Sequence, residues 1–115
     1  MKIFEVTSTP KYMYHVSKQS NRDSIGKQGL LPLNKEDLNI IRKPGVYLFS
    51  DVNDAKEWAH WGKITYREPH DIWQVSIPLQ YKLTKDKHPE MKSFSSYIGY
   101  DSIPPDRIKA LSTDF

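Results

Sequence analysis

The sequence predicts a compact α+β fold, and three observations carry that expectation. Helix-like stretches with capping residues gather early in the chain. Strand-like runs rich in Tyr, Val, Ile and Trp gather late, separated by Pro and Gly turns. A chain of 115 residues suits one domain, 1–115. Such a domain buries roughly 65% of the surface its unfolded form exposes.

The first strand is expected over Lys11 to Ser17, opened by Pro10. Ser20 or Asn21 can cap a helix from Arg22 to Gln28, with Asp23 in its first turn, where the macrodipole favours a carboxylate. Gly29 fits the left-handed position that ends this helix, and Pro32 prevents its resumption. Asn34 can cap a short helix from Lys35 to Ile41, ahead of the Pro44-Gly45 turn. Val46 to Ser50 reads as a buried strand. Asp51 then starts a helix in which Val52, Ala55, Trp58 and Ala59 follow helical spacing, and which is expected to fade at Gly62. Ile64 to Glu68 is read as a strand, with a turn near Pro69. Ile72, Trp73, Val75 and Ile77 make a strand pattern from Asp71 to Pro78. A short extended piece at Tyr81 to Leu83 interrupts a polar loop, and Tyr97 to Tyr100 and Arg107 to Leu111 close the chain around Ile103-Pro104-Pro105.

The sequence contains no cysteine, which removes disulfides, thiol nucleophiles and cysteine-based zinc sites together. No run approaches the ~20 apolar residues that span a bilayer, and the start lacks a signal-peptide apolar region. A cytoplasmic protein without a membrane partner is therefore expected. The net charge of +3 comes from scattered Lys and Arg, and Asp86 interrupts Lys85 and Lys87. A solvated surface explains it better than a nucleic-acid footprint.

His15 admits four readings. His60, His70 and His88 show no metal-ligand spacing with it, so no metal is expected. No Gly-flanked turn offers a serine nucleophile. A core histidine with satisfied nitrogens is favoured on pattern alone. The remaining reading is a nucleotide grip: on a strand, His15 points opposite to Tyr14 and Val16, so a neutral imidazole can face a cleft and donate to a ribose hydroxyl. Tyr47, in an apolar strand, is either packing or a platform for a flat ring. Ser50 either hydrogen-bonds a ribose or caps the following helix, and capping is the simpler role.

These residues together resemble the ADP-ribosyltransferase superfamily, in its His-Tyr branch, which includes diphtheria-toxin-like enzymes, poly-ADP-ribose polymerases and small bacterial and phage transferases. Tyr14-His15-Val16-Ser17, Asn21, Ser24-Ile25 and Gly29-Leu30 are similar to the opening of the DarT type, which modifies single-stranded DNA. Gly45 to Ser50 with Asp54-Ala55 resembles the second motif, and Ile103-Pro104-Pro105 with Ile108 the closing segment. The resemblance implies a split β-sheet with a few short helices, gripping NAD in a cleft. It implies ribose contacts from His15, nicotinamide stacking on Tyr47, and carboxamide hydrogen bonds from the backbone of Val16 and Ser17. It also implies that the helix after Asn21 offers its N-terminus to pyrophosphate.

The third motif departs from the family. Active members place a glutamate before the Ile-Pro-Pro turn, and that place falls near Ser96. Asp101 and Glu90 flank it as substitute carboxylates, Asp101 being the nearer to the turn. The resulting expectation is a small NAD-dependent mono-ADP-ribosyltransferase, a bacterial or phage toxin-like effector acting on a protein or nucleic-acid acceptor. The alternatives are a catalytically degenerate module that holds NAD, ADP-ribose or a partner, and an RNA 2′-phosphotransferase-like enzyme using Arg22, Arg42 or Arg67.

Overall fold

A computed structural model describes residues 11–32 and 45–112. The helix expected over Lys35 to Ile41 lies outside them, as does Arg42. Among the described residues, six strands form a sheet in which every pairing is antiparallel. The strands are β1 (Tyr12–Lys18), β2 (Val46–Phe49), β3 (His70–Ser76), β4 (Leu83–Lys85), β5 (Ser96–Gly99) and β6 (Ile108–Ser112). Their spatial order is β4-β5-β2-β1-β3-β6. Two α-helices of the described residues accompany them, α1 (Arg22–Gln28) and α2 (Val52–Tyr66). The architecture is α+β, as the sequence predicts.

The pleat divides the core between the two sheet faces. Met13, Val46, Leu48, Trp73 and Val75 gather with Ile25, Leu30 and Ile103 in one cluster. Phe49 and Ile72 gather with Ala55 and Ala59 of α2 in the other, edged by Tyr14, Val16 and Trp58. Phe49, Trp58 and Phe94 meet there at centroid distances of 5.7–6.3 Å, tilted or edge to face. Such contacts contribute ~0.5–1.5 kcal/mol per pair beyond the area they bury.

The helices differ from expectation in instructive ways. Asp51, not Ser50, caps α2, its Oδ1 accepting from the Asn53 N–H at 2.8 Å. The helix then continues through Gly62 to Tyr66, so Ile64 begins no strand. The spacing of Ala55, Ala59 and Gly62 is the physical reason: small residues at i, i+4 and i+7 let α2 lie close to the sheet. A Cβ at Gly62 would stand only 2.7 Å from Nε2 of His70, so the glycine is the seat of that ring. Arg67, at φ 58°, ends the helix in the left-handed region.

At α1 neither expected cap operates. Asn21 occupies the cap position without a side-chain bond, and the Ser20 N–H donates to Glu68 Oε2 at 2.6 Å. The Ser20 hydroxyl and N–H together hold the Glu68 carboxyl below its ordinary range. Gly29, at φ 78°, closes α1 where a Cβ would meet the Ile103 carbonyl at 2.1 Å. Leu30 and Ile103 exchange both backbone hydrogen bonds at 2.8 Å, so Gly29-Leu30 and the Ile-Pro-Pro turn dock on each other.

Candidate functional site

β1 pairs with β3 at seven register positions, and β2 pairs with β5 at four. β1 and β2 share one, Tyr14 opposite Phe49. Beyond it, the second half of β1 and the first half of β2 are no longer register partners. A cleft of about 1160 Å³ opens there, lined by residues of both strands, of α1 and α2, and by Ser96 of β5.

His15 and Tyr47 both line this cleft, on neighbouring strands. They do not share a sheet face: His15 lies on the face of Met13 and Ser17, whereas Tyr47 lies on that of Phe49. The opening between the strands, and not a common face, brings them together. The bridge is specific. His15 Nδ1 lies 2.8 Å from the backbone carbonyl of Tyr47 and, since a carbonyl only accepts, must carry the proton. Burial pushes the imidazole below its ordinary value, and the bond to Tyr47 opposes that shift without cancelling it. The ring is therefore neutral near pH 7, with a lone pair on Nε2. This reverses the expected polarity: with its proton given to the Tyr47 carbonyl, neutral His15 can offer an acceptor and no donor.

Backbone alternation separates Val16 from Ser17. Tyr14 bonds toward β2, so the N–H and C=O of Val16 also point to the β2 side, where the pairing has stopped. Ser17 belongs to the β3 side, opposite Asp71, and its Oγ accepts from Trp73 Nε1–H at 3.0 Å. Val16 thus offers a backbone edge to the cleft, and Ser17 does not.

The other expected residues divide. Asn21 lines the cleft. The helix behind it has seven residues, and Asp23 already places a carboxylate in its first turn, which weakens the pyrophosphate expectation. Ser50 follows β2, donates its N–H to the Ser95 carbonyl at 3.0 Å, leaves the capping of α2 to Asp51 and is not among the lining residues. Asp101 is exposed and outside the lining; its carbonyl accepts from the Tyr81 hydroxyl. Glu90 falls in a 3-10 turn, Pro89–Met91, and its side chain is outside the described atoms. Ser96 does line the cleft, 1% exposed, with Oγ donating to Asp86 Oδ2 at 3.1 Å.

The sequence reading missed Asp86 and His70. Asp86 looks like a surface residue interrupting lysines, yet it is 4% exposed. Its one visible signal is Asp86-Lys87-His88, an Asx-turn pattern realised by the His88 N–H donating to Asp86 Oδ1 at 3.1 Å. His70 lines the cleft against Gly62, with Nδ1–H donating to the Glu68 carbonyl at 2.9 Å. Arg22 is held at the side of the site by buried Asp71, through Nε at 3.0 Å and Nη2 at 2.9 Å. Among the described residues, no three His, Asp or Glu side chains gather to hold a metal ion, and no helix is long and apolar enough to cross a membrane. No protein-family model matches this chain, and no curated protein matches it in sequence.

Proposed function

We propose that this chain binds NAD in the cleft between β1 and β2 and acts as a small mono-ADP-ribosyltransferase of the His-Tyr type. The observation that carries the reading is the His15–Tyr47 bridge inside the cleft. Burial keeps this imidazole neutral, and the bridge takes up its Nδ1 proton and leaves Nε2 as an acceptor for a ribose hydroxyl, with the Tyr47 ring as the proposed platform for a flat base. The backbone edge of Val16 supplies a donor and an acceptor side by side, complementary to a carboxamide, which also has one of each. The cleft volume, about 1160 Å³, lies above the ~300–1,000 Å³ range of small-molecule sites, which suits an extended dinucleotide.

In the reaction, the bond from ribose C1′ to the nicotinamide nitrogen breaks and nicotinamide leaves with the electron pair. A nucleophile on a protein or nucleic-acid acceptor bonds to C1′ and releases its proton to water. Binding without transfer is a second reading, favoured by one observation: no described residue lining the cleft is an Asp or Glu. The RNA 2′-phosphotransferase alternative is less favoured, because Arg22 is engaged by Asp71 and Arg67 is exposed outside the lining.

Incubation with NAD labelled in the adenylate, together with a cell lysate, tests the reading. Label on a macromolecule supports transfer. NAD retained unchanged on the protein supports binding alone. Neither retention nor transfer at millimolar NAD overturns both.

A further inference from the structure

We propose that Asp86, in the connection between β4 and β5, acts through Ser96 as a positioning residue that makes the Ser96 hydroxyl an acceptor for the ligand. The inference rests on the nucleotide reading above and specifies which groups the ligand must present. Ser96 opens β5 and lines the cleft. A hydroxyl has one proton, and that of Ser96 is directed to Asp86 Oδ2. What Ser96 can offer to a ligand is then a lone pair, strengthened by the carboxylate behind it.

Asp86 is itself held in place. Its Oδ1 accepts from the His88 N–H, and its own N–H donates to the Ser96 carbonyl at 2.9 Å. Backbone and side chain of the two residues are therefore tied to each other, in a setting where Asp86 is 4% and Ser96 1% exposed. His15 reaches the same condition by another route, its Nδ1 proton being given to Tyr47. The cleft thus carries two acceptors, one on β1 and one on β5, whose protons the protein holds. A phosphate or carboxylate, which only accepts, would leave both unsatisfied. The matching ligand class brings donors: free hydroxyls of the ribose type.

The test is calorimetric binding of NAD, and of NAD analogues each lacking one ribose hydroxyl, to wild type, Ser96→Ala, Ser96→Thr and Asp86→Asn. Wild type is expected to prefer NAD over at least one deoxy analogue by about tenfold, the worth of one hydrogen bond to a polarised acceptor. Ser96→Ala is expected to reduce that preference to about twofold or less, and Ser96→Thr, which keeps the hydroxyl, to restore it. Asp86→Asn presents an amide N–H that can donate to Oγ and turn the serine proton toward the cleft, so the preference falls although the hydroxyl remains. A purely structural role for Asp86 would weaken NAD and its analogues equally. If Asp86→Asn does not fold, the Ser96→Ala and Ser96→Thr pair decides alone. Undiminished preference in Ser96→Ala overturns the inference and leaves NAD binding standing. Absence of NAD binding in wild type overturns both.

Discussion

The imidazole of His15 donates to the backbone carbonyl of Tyr47 at 2.8 Å, across the place where β1 and β2 cease to be register partners. The bond fixes both the tautomer and the orientation of the ring, and burial keeps the ring neutral.

The first prediction follows from that depressed pKa. Below pH 6.5 the unfolded chain takes up the His15 proton before the folded chain does, so folding stability falls as pH drops through this window. The loss levels off below the folded value and is absent above about pH 7. Urea unfolding of wild type and His15→Gln from pH 5 to 8 isolates the effect as their difference. Parallel curves for the two proteins over the whole range would show that the ring is not held neutral.

Gly62 and His70 give a second prediction. In an open helix position Gly→Ala adds ~0.5–1 kcal/mol of stability. Here the added methyl would fall 2.7 Å from His70 Nε2, and overpacking of this kind costs ~1–3 kcal/mol. Gly62→Ala is thus expected to destabilise, and His70→Ala in the same chain to make the Gly62→Ala step neutral or favourable. A stabilised Gly62→Ala single variant would sink the account of why α2 carries a glycine there.

How much of this was legible in the sequence depends on whether a feature is local. The alternation Ile72, Trp73, Val75 locates β3, and Asp51 with helical spacing of Ala55 and Ala59 locates α2. The end of α2 is hidden in the sequence because Gly62 looks like a breaker, and only the fold shows that it accommodates the ring eight residues on. The cleft itself was not legible, since it depends on β1 and β2 sharing one register pair. The contact that organises it uses the carbonyl of Tyr47, which any residue would supply. The place of Ser96 follows from its distance to the Ile103-Pro104-Pro105 turn, but that of its partner does not. Asp86 sits among lysines, and only the pairing of β4 with β5 turns it inward.

Arg22 and Asp71 carry the third prediction. Asp71 is fully buried and receives two hydrogen bonds from the guanidinium. Removing one partner of a buried pair costs ~3–5 kcal/mol. The Arg22 side chain is 41% exposed, so water can partly replace it, and about 2–3 kcal/mol is expected for Arg22→Leu. Urea denaturation at pH 7 measures it, with Arg22→Leu/Asp71→Leu expected to recover part of the loss. A change below about 0.5 kcal/mol in the single variant would mean that the pair is ornamental to folding.

The last prediction separates the two roles of Tyr47. Its carbonyl holds His15, and its ring, half-buried in the cleft, is the surface on which the proposed function stacks a flat ligand. Tyr47→Ala keeps the carbonyl and removes the ring. Burial depresses the His15 pKa and the Tyr47 ring lies on the other sheet face, so the His15 contribution to the pH dependence of stability should persist in Tyr47→Ala, while NAD affinity falls. Stacking on an aromatic contributes ~0.5–1.5 kcal/mol beyond area burial, a loss of about two- to tenfold, and Tyr47→Phe should retain most of the affinity. Calorimetry with NAD on the three proteins, beside urea unfolding of each at pH 5.5 and 7.5, makes both measurements. Equal NAD affinity in wild type and Tyr47→Ala would remove the ring from the site. A vanished pH difference in Tyr47→Ala would mean that the Tyr47 ring supplies the burial that keeps His15 neutral.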